Sequence, residues 1–520
     1  MVSSKSRFNG NAIKKRFSDG SLTKKASLNA LATGLDYGSR TIVGFLLQPL
    51  MVSFLGDFGY GVWQVLDRSV GYISPATGRP TQALKLIIAR RQGSTDHEEK
   101  RRHIGSAVAI WLFSLPLMFI LGGLLSWYIP GWISAPGEMV WPIRLATALL
   151  VLNTILISLL TIPKSVLEGE NLGYKRMGLS TILVFIGGGL QALPLYLGWG
   201  LTGQGLASVA ITGLTGVIFF QIARKQLPWF GIARPDYQFV RQFLGLSGWF
   251  QLWNLVMRAI RTSDVVLLGL MASPQLVTVY SFTRYVPETL TDFITTIVFG
   301  ITPGMGKMVG EDKMESAAKV RTELMSVTWL LSVVIGAGVL LWNQAFIGLW
   351  TKDAYYAGPT ANLLIILMVI QFSLIRNDAS LIDLTLQVRD KVLFGIVATL
   401  IGIVISGALL YFYDAGIVGL CIGIIAGRLL LTIGYPLIVS RAMGIPFHEQ
   451  LRGVIRPTIA TAIIFGLAFM LADQVTVSSW LGLLAAGAVT TLVVLPVTFF
   501  LGLSSTMRNR LLRRFHFIIG

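Results

Sequence analysis

Four stretches of this chain set ionisable residues at helical spacing inside otherwise apolar sequence. Asp36, Arg40, Gly44 and Gln48 follow at i+4, a spacing that stacks them on one helix face. Asn254, Arg258, Arg261 and Asp264 form a second, drifting stripe. Arg284, Glu288 and Asp292 form a third at i+4, and Arg376 and Asp383, with Asn377 and Asp378 beside them, a fourth. Arg68, Arg79 and Arg428 have no acidic residue three or four positions away. The chemistry open to such a set is electrostatic. A guanidinium fork matches phosphate oxygens bidentately and stays charged at any working pH. Two readings stay open for Asp36–Arg40 and Arg284–Glu288: local salt bridges within one helix, or the lining of a shared cation-rich cavity that suits an anionic ligand. The acids Asp36, Asp264, Asp292, Asp378 and Asp383 are candidates for an ion or proton coupling site.

The elements that carry these residues follow from composition. Of 520 residues, 53% are hydrophobic and 13% charged, and the mean hydropathy is +0.68. Soluble domains carry about 25% charged residues. A soluble enzyme, a disordered chain, a collagen and a coiled coil are excluded, and the fold class is an all-α polytopic membrane protein. A bilayer core takes about 20 mostly apolar residues per helix. That ruler predicts about fourteen spans, near 28–55, 58–88, 104–129, 141–163, 177–198, 201–223, 243–271, 276–303, 322–348, 359–383, 392–413, 416–440, 454–472 and 480–502. The apolar runs are too long, and alternate too little, for a β-barrel.

Orientation comes from the loops. With this helix count, thirty-two of the 43 Lys and Arg fall in the two tails and the even-numbered connections, and one, Lys352, in the odd-numbered ones. The positive-inside rule then puts both termini of a multi-pass membrane protein in the cytoplasm. Most of the formal net charge of +18 is this topology signal. Ten basic residues remain in or at the edges of the spans, against seven acids, so the interior itself is cationic. Lys85 and Arg144 are close enough to span ends to snorkel.

Other chemistries lack their residues. Cys421 is the single cysteine, and His97, His103, His448 and His516 have no ligand spacing, so no metal site and no cofactor are expected. The run GITPGMGKMVG at 300–310 fails the spacing of a phosphate-binding loop, and Met308 stands where a hydroxyl is required. It is expected to be a flexible end to the eighth span. No catalytic motif and no nucleotide-binding domain is found, and no nucleic-acid partner is expected, because the basic tails are better read as topology signal and anionic-lipid contact. Gly34/Gly38 and Gly419/Gly423/Gly427 are small-xxx-small runs suited to close helix packing, and nine prolines fall within spans, where they can bend helices.

Several segments resemble a known family. LLQPLMVSFLGDFGYGVWQVLDRSVGYI (46–73) is similar to the first two helices of the polysaccharide transporter family, the Wzx-type oligosaccharide flippases. LEGENLGYKRMG (167–178), LGWGLTGQGLASV (197–209), FIGLW (346–350) and YFYDAGIVGLCIGIIAGRL (411–429) follow in the matching order. The resemblance implies the multidrug/oligosaccharidyl-lipid/polysaccharide exporter superfamily. Its fold would be two pseudo-symmetric six-helix bundles, residues 28–223 and 243–440, joined by a cytoplasmic linker at 224–242. Two additional helices would occupy 441–502, with basic tails at 1–27 and 503–520. Related lipid II flippases carry central arginines on helices one, two and eight, where Arg40, Arg68 and Arg284 stand here. With Arg258, Arg261 and Arg376 these are the expected substrate-binding residues. The implied activity is alternating-access translocation of an oligosaccharide on polyprenyl diphosphate, for surface polysaccharide biosynthesis, and the implied location is the bacterial cytoplasmic (inner) membrane. The implied partners are that lipid-linked substrate, the bilayer and a polysaccharide polymerase or export machinery. Fourteen helices resemble the lipid II branch, so a lipid II-type flippase stays open. So does a cation-coupled multidrug exporter of the superfamily, although surplus arginine opposes a cationic drug. A membrane-embedded glycosyltransferase would need a sizeable external loop, and every external connection is short. A scaffold without transport is the remaining alternative.

Overall fold

The computed structural model describes residues 22–77, 80–92, 94–170, 172, 177–238, 240–241, 248–384, 388–444 and 446–519. Arg79, Lys175, Arg176 and the basic tail up to residue 21 lie outside the described residues. Those described are all-helical, with sixteen α-helices and no strand. Eleven segments are long and apolar enough to cross a membrane. One of them, Gly34–Ala76, is 43 residues long and is bent at Gly56 into two helical pieces. The helices Gly248–Met271 and Pro274–Gly310 are also long enough to cross but carry the charged stripes, which lowers their hydropathy. Helices among the described residues overlap each of the fourteen expected spans, but the expected 58–88 span is not one helix. Large apolar side chains such as Phe113, Leu481 and Leu492 are mostly exposed, as lipid-facing residues are.

The first helix, α1 (Leu22–Gly71), shows how local sequence sets the path. Gly56 sits at φ 69°, ψ 176°, a region open to glycine alone, and breaks α1 into two helices at the LGDFGYG segment. The second piece stops at Gly71, earlier than the expected 58–88 span. A 3-10 turn over Ser74–Thr77 follows, and a separate helix, α2, runs from Pro80 to Arg90. Pro75 and Pro80 explain the interruption: each lacks an N–H, and each disfavours helical geometry in the residue before it. The 300–310 segment also differs from expectation, because it continues helix Pro274–Gly310 to its end.

Contacts divide the chain into two units. The first takes the chain up to Phe54, Ala76–Gly123 and Leu145–Leu244. Its core joins Leu84 and Ile88 of α2 to Ile104, Val166, Leu183 and Phe219 on α3 (His97–Trp132), α5 (Ile162–Gly169), α6 (Met177–Tyr196) and α7 (Gly200–Gln226); α4 (Gly137–Leu160) precedes α5. Residues after α7 fold back on α3: Arg101 Nε donates to the Trp229 carbonyl at 2.6 Å, and Asp236 N donates to Ser106 Oγ at 2.9 Å. Lys100, nearly fully buried, pairs with Glu170 at 2.8 Å.

The second unit holds Leu55–Pro75, Leu124–Arg144 and Gly245–Gly520. Its helices are α8 (Gly248–Met271), α9 (Pro274–Gly310), α10 (Met314–Trp350), α11 (Pro359–Leu384), α12 (Val388–Tyr413) and α13 (Gly416–Met443), followed by α14 (Phe447–Leu471), α15 (Trp480–Gly502) and α16 (Ser505–Ile519). Gly423 and Gly427 of α13 press on Ser406, Gly402 and Ala398 of α12, leaving no room for a side chain. Gly34 and Gly38 have open space around them, so of the two runs only the later is a packing seam. The two added helices dock on α10: Trp329 and Trp342 donate their indole N–H to Thr461 and Thr490, each at 2.9 Å.

Candidate functional site

Within the second unit the charged stripes of α8 and α9 face each other. Asp264, 1% exposed, accepts a 2.8 Å hydrogen bond from Tyr280 Oη and pairs with Arg284. The Arg284 guanidinium also donates to the Arg261 carbonyl at 3.3 Å and lies 3.4 Å from Glu288. Arg261 reaches Asp292 at 3.2 Å. Arg428 of α13 donates to the carbonyls of Met368 (3.1 Å) and Ile260 (2.5 Å). Arg261, Arg284, Glu288, Asp292 and Arg428 line a cavity of only about 20 Å³, room for water and little else. Arg68 is within electrostatic range of Glu288, and Arg376 of Arg261 and Asp292. Arg258 instead rests on Gly71, where even a Cβ would collide with it. That is the C-terminal end of a helix, where a cation is favourable.

The expected acids are placed as follows. Asp36 pairs with Arg40 at 2.9 Å, so this i,i+4 pair and Arg284–Glu288 are both real contacts. Asp378 receives a two-pronged bond from Arg321, at 2.7 and 2.9 Å, with both side chains buried. Asp383 pairs with Lys391, whose ammonium also sits 3.9 Å over the Trp253 ring. Sequence reasoning counted Arg321 and Lys391 as loop charges. The structure buries both inside α10 and α12. The Arg321 pairing spans 57 residues, so no local spacing signals it.

The larger cavity is in the first unit. A partly open cavity of about 300 Å³ is lined by Arg40 of α1, Lys164 of α5, Ser180, Gly187, Gly188 and Gln191 of α6, and Thr215 and Phe219 of α7, with apolar neighbours. Among the described residues its wall contains two cations, three neutral hydrogen-bonding side chains and no carboxylate. Asp36 meets Arg40 from outside the wall. Lys164 was invisible as a site residue because it follows Pro163 in what reads as a cytoplasmic connection. Of the six arginines expected to bind substrate, Arg40 alone lines this space. Arg68, Arg258, Arg261, Arg284 and Arg376 belong to the second unit.

One further polar contact lies where the expected topology has its external side. Tyr355, in a 3-10 turn between α10 and α11, donates to Asp57 Oδ1 at 2.5 Å, and Thr278 Oγ1 donates to the Asp57 carbonyl at 2.6 Å. Tyr355 stacks on Phe282 at 5.1 Å. Burial, and next the bond to Asp57, push its hydroxyl up to about 12. A Cβ on Gly61 would collide with the Pro274 carbonyl.

No family model matches the chain. Among curated proteins, it is 21% identical to the uncharacterized membrane protein EpsK of Bacillus subtilis (strain 168), over 90% of this chain and 94% of that protein. Solved structures give the fold. A eukaryotic MATE transporter, AtDTX14, superposes with a TM-score of 0.60 at 16% identity, over 83% of this chain and 98% of that one. An inward-facing multidrug resistance MATE family transporter of the MOP superfamily gives 0.56 at 16%, over 81% and 96%. A MOP superfamily transporter from Pyrococcus furiosus gives 0.52 at 17%, over 80% and 96%; its binding pocket is described as having reverse polarity, suggesting a different function. The chain has the two-lobe MATE-like fold.

Proposed function

We propose that this protein is a transporter that flips a lipid-linked oligosaccharide, carried on a polyprenyl diphosphate, across the cytoplasmic membrane, with both termini inside. The observation that carries the reading is the first unit's cavity of about 300 Å³, with Arg40 and Lys164 in its wall and no carboxylate. That volume is at the lower end of small-molecule sites and suits a diphosphate with part of a sugar. Arg40 would take phosphate oxygens bidentately and Lys164 as a point charge, while Ser180, Gln191 and Thr215 offer sugar or phosphate hydrogen bonds. The prenyl tail would stay in lipid, where no polar group has to be satisfied. Two bundles, residues 28–223 and 243–440, would rock to expose the site to either side. The contact of Tyr355 with Asp57 would fasten the Asp57 segment to the turn between α10 and α11. The arginines of the second unit would then hold the α8–α9 interface and meet the glycan's acidic groups only when it opens.

The reverse pocket polarity described for the Pyrococcus furiosus relative is a property this cavity would share. A multidrug exporter for organic cations is disfavoured by the same wall. The test is binding by the purified protein in detergent of three probes: a polyprenyl diphosphate, the same polyprenol without phosphate, and ethidium. The diphosphate should bind best. R40Q and K164Q should each weaken it about ten- to a hundredfold, the worth of one charge-assisted bond, and K164R should weaken it less than K164Q. Equal binding of the polyprenol, or binding unaffected by both Gln variants, overturns the assignment.

A further inference from the structure

The inner end of the two added helices carries a surface that the transport reading does not use. Helix α15 is 23 residues long, about 34 Å at 1.5 Å per residue, enough to cross the hydrocarbon once. Leu503 leaves the helix in extended conformation, Ser504 Oγ accepts from Met507 N, and α16 begins at Ser505. Only two residues separate α15 from α16, so where α15 crosses the hydrocarbon, α16 starts at headgroup depth. Met507 and Leu511, one turn apart, are buried in the cluster around Trp329, which pins one face to the protein. Arg510 and Arg513 are exposed, and Arg508 lies 5.3 Å over the Phe500 ring. Arg452 and Arg456 are exposed on α14; Arg456 donates to the Phe500 and Leu501 carbonyls at 2.9 and 2.6 Å, which ties α14 to the start of this segment. The helix itself carries no Asp or Glu to offset these arginines.

We infer that α16 is a membrane-surface helix that holds anionic phospholipid headgroups through Arg510 and Arg513, with Arg508 and Arg452 beside them. Its exposed Leu512 stands among the arginines, so the outward face pairs an apolar insertion point with cations, as interfacial helices do. On the orientation argued from loop charges this is the cytoplasmic leaflet, whose anionic lipids attract juxtamembrane basic clusters. The fixed headgroup contact would anchor α14 and α15 in the bilayer while the rest of the transporter moves. The inference does not depend on the identity of the transported substrate.

The experiment titrates the purified full chain in detergent with short-chain phosphatidylglycerol, phosphatidylcholine or inorganic phosphate, and follows thermal stabilisation. Phosphatidylglycerol should stabilise at far lower concentration than phosphatidylcholine, and the effect should fade with salt. Each arginine near an anionic surface is worth about fivefold in affinity, so R510Q/R513Q should raise the midpoint concentration about 25-fold. Both side chains are exposed, so lipid-free stability should stay near wild type, and R510K/R513K should keep most of the affinity. Equal effects of the two phospholipids, or an unshifted midpoint in R510Q/R513Q, would overturn the inference. So would stabilisation by inorganic phosphate at the same concentration, which would mark a free-anion site instead of a lipid surface.

Discussion

Replacing Asp264 by Asn tests whether Arg284 is held as part of an ion network. Asp264 is 1% exposed and Arg284 8%, so each charge depends mainly on protein partners for its stabilisation. The substitution keeps the shape and leaves an acceptor for Tyr280 Oη, now at 2.8 Å, but removes the charge that faces the guanidinium. Removing one member of a buried pair costs about 3–5 kcal/mol, because the other charge is left uncompensated. Glu288, 3.4 Å from Arg284, still supplies part of the compensation, so the expected loss is near the lower end, about 3 kcal/mol. Unfolding of the purified protein by increasing denaturing detergent, read by circular dichroism, measures it. The double variant D264N/R284M removes both charges and should recover most of the loss, giving a coupling well above the scatter of independent sites. Loss of less than about 1 kcal/mol in D264N, or a double variant no more stable than the single, would refute the network.

Two other outcomes follow from the Asp57–Gly61 region. A side chain at Gly61 has nowhere to go beside the Pro274 carbonyl, so G61V should destabilise by about 1–3 kcal/mol or more in the same unfolding assay, while G34A, with open space around it, should be near neutral. Y355F removes the hydrogen bond to Asp57 and should increase labelling by an impermeant thiol reagent of a cysteine placed at Thr278. The pH dependence of Tyr355 has a definite sign. Its folded value, about 12, lies above the ordinary value near 10, so its contribution is complete below about pH 10 and is lost as pH rises through about 12. Alkaline unfolding should lose this component in Y355F; an unchanged profile would rule it out.

How far the sequence could be followed depended on the range of each interaction. Asp36–Arg40 and Arg284–Glu288 were visible because i,i+4 partners are fixed by helix geometry alone. The division of the first helix near residue 56 was visible because LGDFGYG punctuates an apolar run. The break after Gly71 was missed, since Pro75 and Pro80 were weighed as kinks within one span. Asp264–Arg284, Arg321–Asp378 and Lys391–Asp383 join different helices, and their registry is set by packing that a single sequence does not display. The count of ten basic against seven acidic residues in the spans treated Arg321 and Lys391 as loop charges. Counting both with the spans makes twelve bases against the same seven acids, and their pairing occupies Asp378 and Asp383, so neither acid offsets the arginines of the stripes. The cavity of the first unit is lined by Arg40, itself paired with Asp36, and by Lys164; Arg40 was read from the first stripe and Lys164 was hidden at a span end.

The central claim is that this wall serves translocation of a diphosphate-linked lipid. The most direct measurement reconstitutes the protein into liposomes containing a fluorescent polyprenyl diphosphate oligosaccharide and follows its accessibility to an impermeant quencher on each side. Wild-type protein should equilibrate the lipid across the bilayer, while R40Q/K164Q, inserted to the same level and equally stable, should leave it where it was placed. Undiminished flipping by that double variant would contradict the account.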